Sequence, residues 1–250
     1  MHSARSHIGL VRPMNQDSYA VLEDLPQKRL YLIADGMGGP SAGEVASQIA
    51  VETVQEIIRK EDLSHPEVSL RRAIYVANQK IFQASRANAD YLGMGTTVVG
   101  ALVDDDSVSV AHVGDSRAYL WHGGSLQQVT EDHSLVAELV RRGQLTEDEA
   151  SHHPQRHIVT RSLGAEEHHY PDVQTFRWVL GDVLLLCSDG LSNLVSPSEL
   201  ASYVEAVSAA PSQSALDRVT STLVQLALDR GGSDNITLIL ICHAPGGEVE

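Results

Sequence analysis

The chain is poor in lysine, cysteine and long apolar runs, and each shortage closes a class of function. Its only lysines are Lys28, Lys60 and Lys80, and eighteen basic side chains face thirty-three acidic ones, a formal charge of −15 over 250 residues. So acidic a chain repels polyanions, which argues against nucleic acid and membrane as partners, while the same balance suits a site that gathers cations. The two cysteines, Cys187 and Cys242, sit inside apolar runs. They read as small core residues of a reduced protein rather than a disulfide framework. No stretch approaches the roughly 18 uninterrupted apolar residues of a membrane helix, and residues 1–12 lack the apolar centre of a signal peptide. A cytoplasmic protein is expected. Repeats, low-complexity tracts and long linkers are also missing, so one domain spanning 1–250 is expected.

What is present alternates between strand-like and helix-like blocks. Leu30 to Ala34 is a short apolar run that predicts a buried strand. Ser41 with Glu44 predicts a capping box for a helix whose apolar positions are Val45, Ile49, Val54 and Ile57. Leu70, Ile74, Ala77 and Ile81 give a second amphipathic helix. Residues 97–103, 108–113 and 117–121 are β-rich, and the short turns between them predict antiparallel neighbours. Leu135, Val136, Leu139 and Val140 predict a short helix, and Thr146 with Glu149 caps another, before a His-rich surface stretch that ends at His157. Val183 to Cys187 is a strand. Ser196-Pro197-Ser198-Glu199 combines a cap, an N1 proline and a box glutamate. Leu216, Val219, Leu223 and Leu226 form a last helix closed by Gly231-Gly232, and Ile236 to Cys242 ends the pattern as a buried strand. Helices paired at both ends, with strands massed between, define an α+β layered fold.

The informative feature is where the acids fall. Asp35, Asp115 and Asp189 each adjoin a glycine at the edge of an apolar run, and Asp234 precedes the last strand. Any one of these is an ordinary turn residue. Four together, each beside a run that must enter the core, predict convergence. Two carboxylates about 5 Å apart at an effective dielectric of ~20 repel by about 3 kcal/mol. Such a group must protonate or bind cations, and oxygen-only ligands favour Mg²⁺ or Mn²⁺. Zinc fits less well, because no His or Cys pair has its usual spacing. Two hard cations sharing a carboxylate acidify a water between them, the apparatus of phosphoester hydrolysis. A phosphate also wants a guanidinium fork, and Arg12 is available in an irregular lead-in. On its own it reads as a surface arginine.

Eight ordered motifs raise the specificity. They are Val11-Arg12-x-x-Asn15-Gln16-Asp17, Ala34-Asp35-Gly36-Met37-Gly38-Gly39 with Gly43-Glu44, Gly95-Thr96-Thr97, His112-Val113-Gly114-Asp115-Ser116-Arg117, Asp132-His133-Ser134, Thr160-Arg161-Ser162-Leu163-Gly164, Ser188-Asp189-Gly190-Leu191 and Asp234-Asn235-Ile236-Thr237. In this order, from about residue 6 to 242, the chain resembles the metal-dependent protein phosphatases of the type 2C family, most of all the compact bacterial members. The resemblance implies a four-layer α-β-β-α sandwich, with two antiparallel sheets flanked by helix pairs and a flap over about 134–169. It implies hydrolysis of phosphoserine and phosphothreonine by a hydroxide bridging two Mn²⁺ or Mg²⁺ ions, without a phosphoenzyme. In it Asp35 bridges the ions, the Gly36 carbonyl binds one, Asp189 and Asp234 complete the other and Asp17 holds metal-bound water. Asp115 would help Asp189 bind a third ion, and Arg12 would grip the phosphate. The implied partners are phosphoproteins, including a serine/threonine kinase or its targets, and the implied state is a monomer.

Three positions depart from the family pattern. Gln16 stands where many members have Glu, Met37 where animal members have His, and Pro40 where many bacterial members have His. The residue that protonates the leaving alkoxide is therefore unassigned. His133, His152, His153, His157, His168 and His169 crowd the region and read individually as solvated surface residues. A non-catalytic relative, for which only Gln16 speaks, and an enzyme acting on small phosphoesters or phosphotyrosine stay open. Nucleotide binding through Gly36 to Gly39 is disfavoured, since Ser41 replaces the third fingerprint glycine and there is no P-loop lysine.

Overall fold

The structure is a computed structural model and describes residues 1–39 and 41–244; Pro40 lies outside them. The chain opens with strands β1 (His2–His7), β2 (Asp17–Leu25) and β3 (Lys28–Met37) and helices α1 (Ala42–Ile58) and α2 (Pro66–Ala87). Strands β4 (Gly95–Thr96), β5 (Val98–Val103), β6 (Ser107–Val113), β7 (Arg117–His122) and β8 (Ser125–Gln128) come next. Short helices α3 (Leu135–Arg141) and α4 (Glu147–Ser151) precede β9 (Asp172–Arg177) and β10 (Val183–Cys187). The chain then forms the single turn α5 (Asp189–Ser192), helices α6 (Pro197–Ala209) and α7 (Gln213–Asp229), and β11 (Ile236–Cys242). No helix is long and apolar enough to cross a membrane among the described residues.

Continuous apolar runs become strands here because both faces of each sheet are covered. The five-stranded sheet runs β1-β11-β10-β7-β8 and the six-stranded sheet β2-β3-β5-β6-β9, with β4 paired to β3. Every pairing is antiparallel. Along β3 the side chains alternate between two cores. Tyr31 and Ile33 point between the sheets, against Val99, Leu186 and Ile239. Leu30, Leu32 and Ala34 point outward, under Ala50 and Val54 of α1 and Leu70 and Ile74 of α2. On the far side Leu185, Leu238 and Leu240 pack under Leu200, Val204, Leu216 and Leu223 of α6 and α7. The result is the α-β-β-α sandwich that the resemblance implies, with Cys187 and Cys242 as free, buried core residues.

Local expectations hold where they rest on side-chain chemistry. Ser196 and Thr146 each form a complete capping box, and Leu70, Ile74, Ala77 and Ile81 are fully buried. Two fail. Ser41 caps α1 without a side-chain bond, at a left-handed φ of 71°. The start of that helix is set instead by a backbone contact described below. Its buried stripe is Ala46, Ala50, Val54 and Ile58, with Val45, Ile49 and Ile57 at the margin, because small residues let α1 lie close on the sheet. The second failure is the Gly114-Asp115 turn. β5 and β6 do pair, but β7 belongs to the other sheet. The turn carries the chain across the sandwich rather than closing a hairpin.

Candidate active site

That crossing is one of several chain events at the same end of the sandwich, and each delivers a carboxylate. Asp17 begins β2 and lies directly opposite Asp35 of β3 in the antiparallel register. Like charges so placed repel. From the facing sheet β10 ends at Cys187, and Asp189 opens α5 two residues later. Asp234 stands two residues before β11, and Asp115 sits where the chain changes sheets.

Glycines make the closeness possible. A Cβ on Gly36 would stand 2.0 Å from the Gly43 carbonyl oxygen, so the strand holding Asp35 and the start of α1 meet backbone to backbone. A Cβ on Gly190 would stand 2.0 Å from the Asn235 carbonyl oxygen, which brings Asp189 against Asp234. Only residues without a Cβ permit these contacts. Hydrogen bonds then fix the supports. The Asn235 side chain accepts from the Gln16 N–H (2.8 Å) and donates to the Ile8 and Met14 carbonyls (2.8 and 3.0 Å), tying down the segment that carries Arg12. Thr97 Oγ1 accepts from the Asp35 N–H (3.1 Å), Thr96 Oγ1 donates to the Asp35 carbonyl (2.8 Å), and Ser188 Oγ donates to Asp17 Oδ2 (2.9 Å). The sequence reading assigned no role to Asn235, Thr96, Thr97 or Ser188. The signal for Asn235 and Ser188 was adjacency to a candidate acid, and for Thr96 and Thr97 the Gly95-Thr96-Thr97 motif.

The cluster is short of positive charge. Burial, followed by the charges of Asp17, Asp189, Asp115 and Asp234, pushes the Asp35 carboxyl well above its ordinary value. Burial pushes Asp17 up to about 7, opposed by hydrogen bonds from Thr237 and Ser188. Asp115 rises to about 7 by burial and then by the charge of Asp189, and Asp189 rises by burial and then by the charge of Asp234. Among the described residues Arg12 is the one cationic side chain that hydrogen-bonds to the group, Nη2 donating to Asp234 Oδ2 at 2.7 Å. Arg117, two residues after Asp115, is engaged elsewhere, with Nη2 donating to Asp132 Oδ2 at 2.7 Å. Asp17 Oδ1 is buried without any partner. An orphaned carboxylate oxygen among converging acids fits a divalent cation, and the all-oxygen donor set fits a hard one.

The remaining predicted residues are placed as follows. Gly36 follows Asp35 in β3, its N–H donating to the Gln16 carbonyl at 3.1 Å. Met37 pairs with Gly95, so no histidine occupies that position. His152, His157 and His168 are exposed and His153 is half-buried, and His157 is the one whose charge reaches Asp189. His169 is half-buried and accepts from Arg161 Nε at 3.0 Å. His133 overturns the surface reading. It is 3% exposed, stacks on His112 with ring centroids 4.7 Å apart, and its Nδ1 accepts from the Gly114 N–H at 3.0 Å. Burial, then the neighbouring His112 and Arg161, pushes it down to about 4, so it is neutral near pH 7. His112, His133 and Asp172 lie close enough to share a metal ion. Arg161 Nη1 already fills that space, 2.8 Å from His133 Nε2 and 3.2 Å from Asp172 Oδ1.

Comparison with known proteins agrees with this geometry. A family model described as protein phosphatase 2C matches residues 5–226. A serine/threonine phosphatase, stp, of Listeria welshimeri is 37% identical over 246 residues, covering 96% of this chain and 95% of that protein. The crystal structure of the Mycobacterium tuberculosis serine/threonine phosphatase PstP/Ppp superposes with a TM-score of 0.85 at 35% identity, over 96% of this chain and 97% of that one. A structure of the PstP catalytic domain in complex with two manganese ions superposes at 0.82, also at 35% identity and with 96% of each chain covered. The chain belongs to the protein phosphatase 2C family, and its activity is that of a protein phosphatase.

Proposed function

We propose that the protein hydrolyses phosphoserine and phosphothreonine in phosphoproteins at the aspartate cluster, with two Mn²⁺ or Mg²⁺ ions held there and a third, looser ion at Asp115. The carrying observation is the convergence of Asp17, Asp35, Asp115, Asp189 and Asp234 around an unpartnered Asp17 oxygen, with a single guanidinium in contact. Asp35, the Gly36 carbonyl, Asp189 and Asp234 would hold the ions, with Asp35 shared between them. Asp17 acts through water. Bound ions would supply an acidified water and neutralise the phosphoryl oxygens. Arg12, at the rim and half-exposed, presents its fork to the phosphate and stabilises charge spreading over the transferring group. Water attacks in line, so no residue carries the phosphoryl group. With Met37 in place of a histidine, the leaving alkoxide takes its proton from solvent or from a histidine of the 134–169 flap.

The reading extends to the whole chain as one catalytic domain, working as a cytoplasmic monomer on a serine/threonine kinase or its targets. The test is turnover of phosphoserine, phosphothreonine and phosphotyrosine peptides with Mn²⁺, with and without chelator. Activity on the first two is expected, lost with chelator and in Asp189→Ala. Mn²⁺-dependent turnover that survives in Asp189→Ala would sink the assignment.

A further inference from the structure

Two residues beyond Asp35 along β3, Met37 forms one wall of a cleft of about 590 Å³. Phe82 and Arg86 at the end of α2, Leu92, Met94 and Ser162 line the rest. Gly95 also lines it, packed so closely that a Cβ there would stand 3.0 Å from the Leu163 carbonyl oxygen and 3.2 Å from Ser162 Oγ. Its chemistry is lopsided. Met37, Leu92 and Phe82 offer apolar contact, and Leu92 on the rim is 79% exposed. The single charged lining group is Arg86, whose guanidinium lies 4.6 Å from the Phe82 ring centroid. No carboxylate pairs with it among the described residues. On a chain of net charge −15, an arginine held over an aromatic face and left without an acid is a pre-oriented counter-ion.

Its distance from the aspartates is set by the strand. Two residues of β3 span about 7 Å, and an extended peptide advances about 3.3–3.6 Å per residue. A polypeptide with its phosphorylated residue at the aspartates therefore presents the side chain two or three positions away to this cleft.

We propose that the cleft is a specificity pocket for an acidic side chain, Asp or Glu, two or three residues from the phosphorylated residue of the substrate. Arg86 pairs with the carboxylate, and Met37 and Leu92 pack on its aliphatic stem, which a thioether side chain does adaptably. Charge complementarity selects this occupant over an apolar one. Elsewhere the acidic surface repels such a segment, so discrimination at this point depends on Arg86. The inference rests on the phosphatase reading above.

The experiment compares kcat/KM, with Mn²⁺, for phosphopeptides bearing Glu, Ala or Lys at the second or third position on either side of the phosphoresidue. The enzymes are the wild type, Arg86→Ala and Arg86→Glu, the two variants altered only at an exposed helix end. p-Nitrophenyl phosphate, too small to reach the cleft, is the control. The wild type should favour Glu over Ala about two- to fivefold at one position, the range of an exposed ion pair. Arg86→Ala should erase that preference and Arg86→Glu turn it toward Lys, both with unchanged aryl phosphate turnover. No Glu preference at any position, or one that persists in Arg86→Glu, overturns the pocket while leaving the phosphatase reading intact. A wild type inert toward both peptides and aryl phosphate overturns the phosphatase reading, and the pocket with it.

Discussion

Two polar clusters meet near the end of β6 and settle their charge in opposite ways. Around His112 and His133, charges of both signs are matched. Burial raises the Asp172 carboxyl, yet the His133 hydrogen bond and the Arg161 charge hold it below its ordinary value. Arg161 also donates to the Tyr170 carbonyl at 2.9 Å. Around Asp115, three residues after His112, negative charge predominates, and one carboxylate oxygen of the cluster has no partner. A satisfied cluster stiffens the fold, whereas an unsatisfied one stores repulsion that only a ligand or protons relieve. The contrast separates a cluster suited to binding cations from one that holds the fold, although both are rich in potential metal ligands.

The sharpest way to break that contrast is at the aspartates. Asp189→Ala should lower turnover by about 10²–10³-fold, the scale of losing a central charge-stabilising group, and yet raise the thermal stability of the metal-free protein. A metal-free variant that melts lower than wild type would show that the cluster is not strained. Next comes metal linkage. Asp17 and Asp115 titrate near 7 in the folded protein, above the ~3.9 of an unfolded aspartate. Their contribution is thus full below about pH 4 and lost as pH rises through 7. Melting of chelated protein should rise on acidification from pH 8 to pH 5.5. Mn²⁺ at a hundredfold its dissociation constant should add about 2.7 kcal/mol, with the larger shift in melting temperature at pH 8.

The paired cluster should behave with the opposite sign. His133, held at about 4 against an ordinary 6.5, contributes stability that is full above pH 6.5 and lost as pH falls through 4. Arg161→Ala, which strips Asp172 and the Tyr170 carbonyl of a donor, should cost about 2 kcal/mol in urea unfolding, within the range for hydrogen bonds to a charged group. An unchanged midpoint would place the clasp outside the stable fold. The smallest effect expected is Arg12→Ala, raising KM for phosphopeptide about tenfold with a lesser change in kcat. A fall in kcat alone would mean that Arg12 acts only on the transition state.

The strands recognised from sequence, β3, β5, β6, β7, β10 and β11, are the interior ones of the two sheets. Those unread, β1, β2, β8 and β9, are the four edges, and the two-residue β4 also escaped. An interior strand covered on both faces must be apolar throughout, but an edge strand needs only backbone partners on one side. His2 to His7, polar in sequence, pairs with β11 from Ile241 to Ile236 in this way. At the site, Asp35, Asp189 and Asp234 were legible because each adjoins such an apolar run. Asn235 was not, since its amide acts on Ile8, Met14 and Gln16, over two hundred residues away in sequence.

Residue order alone determined the central strands, the capped helices, the layered class and the identity of the acids, all of which depend on neighbours a few positions apart. Tertiary structure decided which sheet each strand joins, that His133 is buried and neutral, that Asp17 faces Asp35, and that Arg86 stands free beside a cleft. Those outcomes turn on groups distant along the chain, and the free energy of a charge is set by what surrounds it in space.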